Sequence, residues 1–592
     1  MNATATLAIV GSGPSALYLL KEILAEVDVL KSKYGSIHIF EKSGVVGVGM
    51  PYSPETTDRF NMSNISSEEL PKLPVSFADW LRSQSSAVLH SLGILPEKIS
   101  EEEVYSRLAL GEYFKAQYQL LTSWIIEAGI HVTNHAECGV TDIKDDAETG
   151  RVMLFTSTQE VYECDMVVIA TGHQWPSKDE PKCGYYASPW PIGKLLADDG
   201  SQALFTIGTL GASLSAFDVV SSLSHRHGDF VMEDGRMVYK PHAGTGEFKI
   251  VMHSSQGLLP HLQFAQVHPM REIYRHVTSG GMRQLLDANG FLRIEVYFDR
   301  VCRRVLHAAF EHDGMPELSR KLEDPAFKFA DFVETMTDKH DYANAFEGMR
   351  KEMVEAKRAV KQHKPIHWKE AVDDLMYTLN YHAELMPAED HLLLQEKVMP
   401  FLMNVIAAMP LPSGNSILAL YDAGKLEMVS GRVVRIRKLT SKGVTAVVVE
   451  QDGKERICTY RMFIDCSGQK SVNLRRYPFP SLVRTRRVRR AQSPFLKAGE
   501  WKEVSPEKEA LVEKKRGQWF YETGGIDIDD AYRIIGADGR PNPRIHDIAF
   551  PHVTGHRPYS YGLQACAHTS ARVVRSWVAE LKENESDGDL RS

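Results

Sequence analysis

Gly11, Gly13 and Ala16 stand at GxGxxA spacing directly after an apolar run from Thr6 to Val10. At this spacing the first glycine permits a tight turn and the second brings bare backbone up to a diphosphate. The small third residue lets a helix pack close to the strand. Pro14, Ser15 and Ala16 open that helix, whose free N–H groups and positive end attract an anion. Glu41, with Lys42 beside it, closes a second predicted strand, Ser36 to Phe40, and is placed to accept hydrogen bonds from an adenosine ribose. The same residue types recur at Gly211, Ser213 and Ala216, with serine in the middle position. This second loop, Gly208 to Ser213, lies between a predicted strand, Ala203 to Ile207, and a predicted helix beginning Leu214-Ser215. Two diphosphate cradles in one chain are suited to passing hydride between two dinucleotides.

Three further segments point to FAD in the first cradle. Gly44 to Met50 is rich in glycine, with Gly49 and Met50 at its end, and small residues let a chain run close to an extended flavin. Ala170-Thr171-Gly172 reads as a strand end that closes against the cofactor. Gly562-Leu563-Gln564 opens a late helix, whose positive end would stabilise negative charge on a reduced flavin ring. In the second cradle the strand after the helix ends Met252-His253-Ser254-Ser255. Neither the acid that favours NAD nor the arginine that clamps a 2′-phosphate is there. Hydroxyls such as that of Ser254, with His253, favour NADPH and leave NADH open.

These motifs imply an α/β fold of two Rossmann-type dinucleotide-binding domains, the second inserted into the first, plus a helical insertion. The expected division is residues 1–190 for the first part of the FAD domain and 191–470 for the NAD(P)H domain. Within the latter, a charge-rich helical insertion spans about 315–408. Residues 471–592 close the FAD domain and end in a polar tail from Glu583, expected to be disordered after a helix reaching about Leu581. At 592 residues the chain exceeds a single core. A net charge of -8 argues against a nucleic-acid partner. The dense basic run Arg484 to Arg490 is read as a solvated or internally paired face. No run of about 18 apolar residues predicts a membrane span. Seven scattered cysteines, none as CxxC, suit reduced thiols and a cytoplasmic location and offer no metal site.

Taken in order, Gly11 to Ala16, Gly47-Val48-Gly49-Met50-Pro51-Tyr52, Phe77-Ala78-Asp79-Trp80-Leu81, Arg107 with Gly111-Glu112-Tyr113, Ala170 to His173 and Gly211 to Ala216 resemble the FAD/NAD(P)-binding proteins related to flavin-dependent N-hydroxylating monooxygenases. The bacterial enzymes that oxidise L-aspartate to nitrosuccinate are the suggested functional relatives. The resemblance implies that NADPH reduces FAD, that O2 adds at flavin C4a, and that the hydroperoxide oxygen passes to a neutral amine nitrogen. It also implies a cofactor-lining role for Arg107. In ornithine and lysine N-hydroxylases a Met-Gln pair borders the flavin. The corresponding stretch is Asn61-Met62-Ser63-Asn64, so Met62 and Asn64 become candidates, with serine in place of glutamine.

A dicarboxylic amino acid needs cationic forks, for which Arg271, Arg275 and the 484–490 run are available, with His173, His253, His261 and His556 as acid/base candidates. Three readings follow: an N-monooxygenase acting on a small amine with O2, a flavin dehydrogenase or oxidase without oxygen transfer, and a non-catalytic flavoprotein interaction module.

Overall fold

The computed structural model describes residues 4–175, 177–196, 202–338, 344–406, 408–468, 472–497 and 499–589. The strands of the two central sheets are, in chain order, β1 (Ala5–Val10), β2 (Tyr34–Phe40), β3 (His131–His135), β4 (Met166–Ile169), β5 (Tyr185–Tyr186), β6 (Thr206–Leu210), β7 (Lys249–Ser254), β8 (Leu426–Ser430), β9 (Met462–Asp465), β10 (Arg533–Ile535) and β11 (Pro541–Asp547). The helices that matter for the site are α1 (Pro14–Ala25), α2 (Arg107–Glu127), α3 (Leu214–His227), α4 (His367–Asn380) and α5 (Leu563–Asp589).

The first sheet has the order β10-β11-β4-β1-β2-β3 and is parallel except for the β10–β11 hairpin. Its strands are near-continuous apolar runs, because helices cover both faces of a parallel sheet; Leu7, Ile9, Val167 and Val168 are fully buried. Helix α1 packs on α2 and on α5, which comes from the far end of the chain. The second sheet, β5-β9-β6-β7-β8, is wholly parallel. Two doubly wound sheets of this kind bear out the expected α/β fold class.

Several boundaries move. The second cradle's strand is Thr206–Leu210, three residues later than its apolar pattern indicates. Gly208 therefore lies within the strand, where a Cβ would stand 2.7 Å from the Phe463 ring and 2.8 Å from the Tyr460 ring. Its glycine serves aromatic packing and not a diphosphate. Strand β5 belongs to the second sheet although it falls within 1–190. Helices begin at Ser279–Arg283, well before residue 315. They split between two cores: Trp368, Tyr377 and Phe401 pack with Tyr297 and Phe298, whereas Phe346, Met349 and Met353 join the core of the second sheet. The polar tail is not a loose end, since α5 continues to Asp589. No proline interrupts Glu580 to Asp589, and its glutamates and lysine are good helix formers. Residues 590–592 lie outside the described residues.

Candidate active site between the two nucleotide units

The two glycine loops are built alike. Gly11 has φ 104°, and a Cβ there would lie 2.6 Å from the Ala170 carbonyl oxygen. Gly211 also has φ 104°, and its Cβ would lie 2.9 Å from the Cys466 carbonyl oxygen. The backbone N–H of Gly11 donates to Phe40 O (2.8 Å) and that of Gly211 to His253 O (2.8 Å). Ala170 N donates to Val10 O (2.9 Å), and Cys466 N to Leu210 O (2.8 Å). In each loop a glycine is required because the neighbouring strand end passes too close for a side chain at positive φ.

The first loop is locked from one side. Ser12 donates to the buried carboxylate of Glu41 through N (3.1 Å) and Oγ (2.8 Å), and Ser43 N donates to its other oxygen (3.0 Å). Gly47 N donates to Ser12 Oγ (3.0 Å), which ties in the glycine-rich segment ending at Gly49. Gly13 and Gly49 face each other so closely that a Cβ on Gly13 would sit 3.3 Å from Gly49 Cα. No side chain caps α1. The Thr171 hydroxyl is buried with no hydrogen-bond partner among the described residues, while the space over Gly172 is open. A bare glycine surface, an uncapped helix start and an unpartnered buried hydroxyl fit a dinucleotide such as FAD. Lys42 is exposed, and Met50 packs against the second unit's core. Ser15 Oγ lies 3.5 Å from Cys566 Sγ on α5.

In the second loop Ser213 replaces the middle glycine, and α3 likewise has no side-chain cap. Ser254, one residue past the acceptor of the Gly211 N–H, occupies the place that Glu41 holds in the first unit. His253 does not face a 2′-phosphate as anticipated: it is buried and shares a 2.8 Å hydrogen bond with the Tyr460 hydroxyl. Burial, with Arg456 nearby, pushes its imidazole down to about 4, so it carries no charge at neutral pH.

A cavity of about 350 Å³ lies between the units. Pro51, Tyr52, Asn64, Glu69, Arg107 and His173 reach it from the first unit, and Leu214, Gln263 and Phe264 from the second. Asp373 of α4 contributes a wall, and Tyr559, Gly562, Leu563 and Gln564 bring in the start of α5. Arg271 is the centre of its polar network. Its Nε donates to Asp373 (2.7 Å), its backbone N donates to Gln564 Oε1 (2.8 Å), and its guanidinium lies over the Tyr377 and Tyr559 rings. The Tyr559 hydroxyl donates to the other Asp373 oxygen (2.8 Å). Burial opposes the charge on Arg271, but Asp373 and Tyr559 outweigh it and raise its pKa. Among the described residues its two terminal nitrogens make no hydrogen bond. The Glu69 carboxyl takes the Ser66 N–H (2.7 Å), and burial pushes its pKa up.

Arg107 ties the units together, 2.9 Å from Asp218 of α3. Burial drives Asp218 up to about 7 despite Arg107. The buried Asn61 completes this seam: its Nδ2 donates to Asp218 O (3.1 Å) and Ser222 Oγ (2.9 Å), and its Oδ1 accepts from Thr57 and Asp58. The strand that follows it, Met62–Ser66, carries Met62, half-buried and paired with Ser106, and Asn64, which lines the cavity.

Of the residues singled out in the sequence, the cavity gathers the acid/base candidate His173 together with Pro51, Tyr52, Asn64, Arg107, Leu214, Arg271, Gly562, Leu563 and Gln564. Arg275 lies elsewhere, paired with Asp374 at 2.6 Å beside a different cavity. Three arginines of the basic run are paired internally, Arg487 with Asp145, Arg489 with Asp527 and Arg490 with Glu522, while Arg484 and Arg486 are exposed. His261 meets Glu352 (2.9 Å) and His556 meets Asp527 (2.9 Å), so neither serves the cavity. Glu69, Asp373 and Tyr559 were not anticipated. Acidic residues in helical or loop stretches carry no spacing signal, and Tyr559, three positions before Gly562, has no pattern of its own.

The fold and cavity define a protein with two dinucleotide units facing one small polar chamber. Residues 8–174 match the FAD-NAD(P)-binding family model, and residues 282–406 match that of the YdhS-like middle domain. The first unit is thus an FAD-NAD(P)-binding segment. The chain is 27% identical over 486 residues to the uncharacterized protein YdhS of Escherichia coli (strain K12), covering 80% of this chain and 85% of that one. Similar solved structures include the ornithine N-hydroxylase KtzI of Kutzneria sp. 744 (13% identity, 98% of this chain and 100% of that one, TM-score 0.41). The L-lysine 6-monooxygenase of Pseudomonas syringae (13%, 98% and 100%, 0.44) and the bacillithiol disulfide reductase Bdr of Bacillus cereus (10%, 98% and 100%, 0.38) are others. Among the described residues, no helix is long and apolar enough to cross a membrane.

Proposed function

We propose that this chain is an FAD-dependent, NAD(P)H-consuming monooxygenase that oxidises the nitrogen of a small amine, with FAD on the first loop and NADPH on the second. One observation carries the reading. The ends of both units and the N-terminus of α5 meet at a single chamber that also holds Arg271, Asp373 and Glu69. Bound FAD would supply hydride acceptance from the nicotinamide and the activation of O2. The protein's part is to bind, orient and manage protons.

The start of α5 offers a positive end to negative charge arising on the ring system, worth roughly 0.3–1 kcal/mol. Glu69, whose pKa burial raises, is a fitting acceptor for the proton that an ammonium must lose before its nitrogen can act as a nucleophile. Arg271 is held rigidly by Asp373 and Gln564, with its terminal nitrogens available to a carboxylate. That supports an amino acid over a simple amine, and L-aspartate, oxidised toward nitrosuccinate, is the substrate we place first.

The test is NADPH oxidation by the yellow, purified protein against a panel of amino acids and diamines, with product mass recorded. Coupled oxidation with an oxygen-sized mass gain on one amine is the expected result. Oxidation that yields only hydrogen peroxide with every amine would leave a flavin oxidase in its place. Stimulation by diamines but not by aspartate would remove the amino-acid assignment alone.

A further inference from the structure

A second, larger cavity of about 660 Å³ lies beside α4, lined by residues from Arg304 to Asp374 of the region that matches the YdhS-like middle domain and by Val267, His268, Arg275 and His276 before it. Consecutive carboxylates of α4 divide between the two cavities: Asp373 pairs with Arg271 in the first, and Asp374 with Arg275 in the second.

The second cavity has an apolar wall of Val267, Val305, Ala308, Ala309 and Ala371. Its carboxylates are already committed. Asp374 lies 2.6 Å from Arg275 and 3.6 Å from His276, and Glu370 accepts the backbone N–H groups of Val267 (2.8 Å) and His268 (3.0 Å). His367 is held by Asp313 at 2.8 Å. Arg304 is different. It makes one 3.4 Å hydrogen bond to the His276 carbonyl and, among the described residues, has no carboxylate within ion-pair distance. The His268 and His312 side chains are likewise without a carboxylate partner among the described residues, and His312 stacks on His367. The volume falls in the range of small-molecule sites, and Arg304 brings to it a guanidinium without a carboxylate partner among the described residues.

We propose that this cavity is a binding site for a small organic anion with an apolar body, its carboxylate held by Arg304 and its body laid against Val305 and Ala308. The reading does not depend on the chemistry assigned to the first cavity. An exposed guanidinium with no carboxylate partner among the described residues matches a carboxylate fork, and the alanine-lined wall accepts a flat ring.

The test uses isothermal titration of the purified full-length protein with 1-naphthylacetate, and with its neutral isostere 1-naphthylacetamide. One saturable site is expected, with the amide weaker by about tenfold, as loss of an arginine–carboxylate contact predicts. Arg304→Glu is expected to weaken naphthylacetate by at least about tenfold. Ala308→Trp, which fills the cavity from an exposed helix position, is expected to abolish binding while the flavin spectrum and Tm stay unchanged. No saturable binding to the wild-type protein overturns the proposal. So does binding that is indifferent to the charge of the probe, or that survives both substitutions.

Discussion

The two nucleotide units share a backbone plan down to the hydrogen bonds of their glycine loops, yet they differ in how the loop is held. In the first, Glu41 gathers Ser12 and Ser43, and Ser12 in turn holds Gly47. In the second, Ser254 stands where Glu41 does, and among the described residues its hydroxyl donates only to Leu258 O, at 3.3 Å. On the proposed function, the first loop is the cradle of a ligand that stays and the second the plainer surface for one that exchanges. A tightly held prosthetic group and an exchangeable reductant ask for that difference.

The largest effect expected from breaking it is at the first glycines. Gly11→Val drives a side chain into Ala170 O and should give colourless protein, with flavin content down more than about tenfold. Gly211→Val should keep the yellow colour and instead raise the KM for NADPH. If Gly211→Val purifies colourless as well, the two cradles do not have separate ligands. Next in size, Ser254→Arg should move coenzyme preference toward NADPH and Ser254→Asp toward NADH, each by about tenfold in kcat/KM. Equal ratios in all three proteins would mean that Ser254 does not face the ribose.

The seam between the units gives a smaller, pH-dependent effect. Asp218 is raised from 3.8 to about 7 in the folded chain. Folding therefore favours its protonated form: that stability is complete below pH 3.8 and is lost as pH rises through about 7, at about 1.4 kcal/mol per unit. Asp218→Asn should flatten the fall in Tm between pH 5 and pH 8 relative to wild type. An unchanged slope would assign the pH response to another group. Smallest of all, Arg484→Gln, at an exposed arginine 3.9 Å from Asp142, should change unfolding free energy by less than about 0.5 kcal/mol in a denaturant titration.

Much of the scaffold was legible because its signals are local. Gly11, Gly13, Ala16 and Glu41 lie within one strand-helix-strand unit, and their spacing is readable without knowledge of the fold. The chamber was less so. Arg271 and Asp373 are 102 positions apart, and nothing in either local stretch announces the pairing. Arg271 and Arg275 looked equivalent in the sequence, but the turn at Ile273 and Tyr274 between them sends one to Asp373 and the other to Asp374. The slip at Gly208 has another cause: a glycine beside a loop looks like part of the loop until the rings of Tyr460 and Phe463 are known to press on it.

The first sheet also sets an order of events during synthesis. Strand β4 gains its outer neighbour only from β11, and the buried Asp145 waits for Arg544, 399 positions later in the chain. The N-terminal unit is thus made first on the ribosome but sealed last, with one flank of β4 bare while the intervening domain emerges. Such distant pairings are slow and leave apolar edges open to misassembly. Flavin capture should accordingly be a post-release event, and nascent chains arrested before residue 530 should take up no flavin.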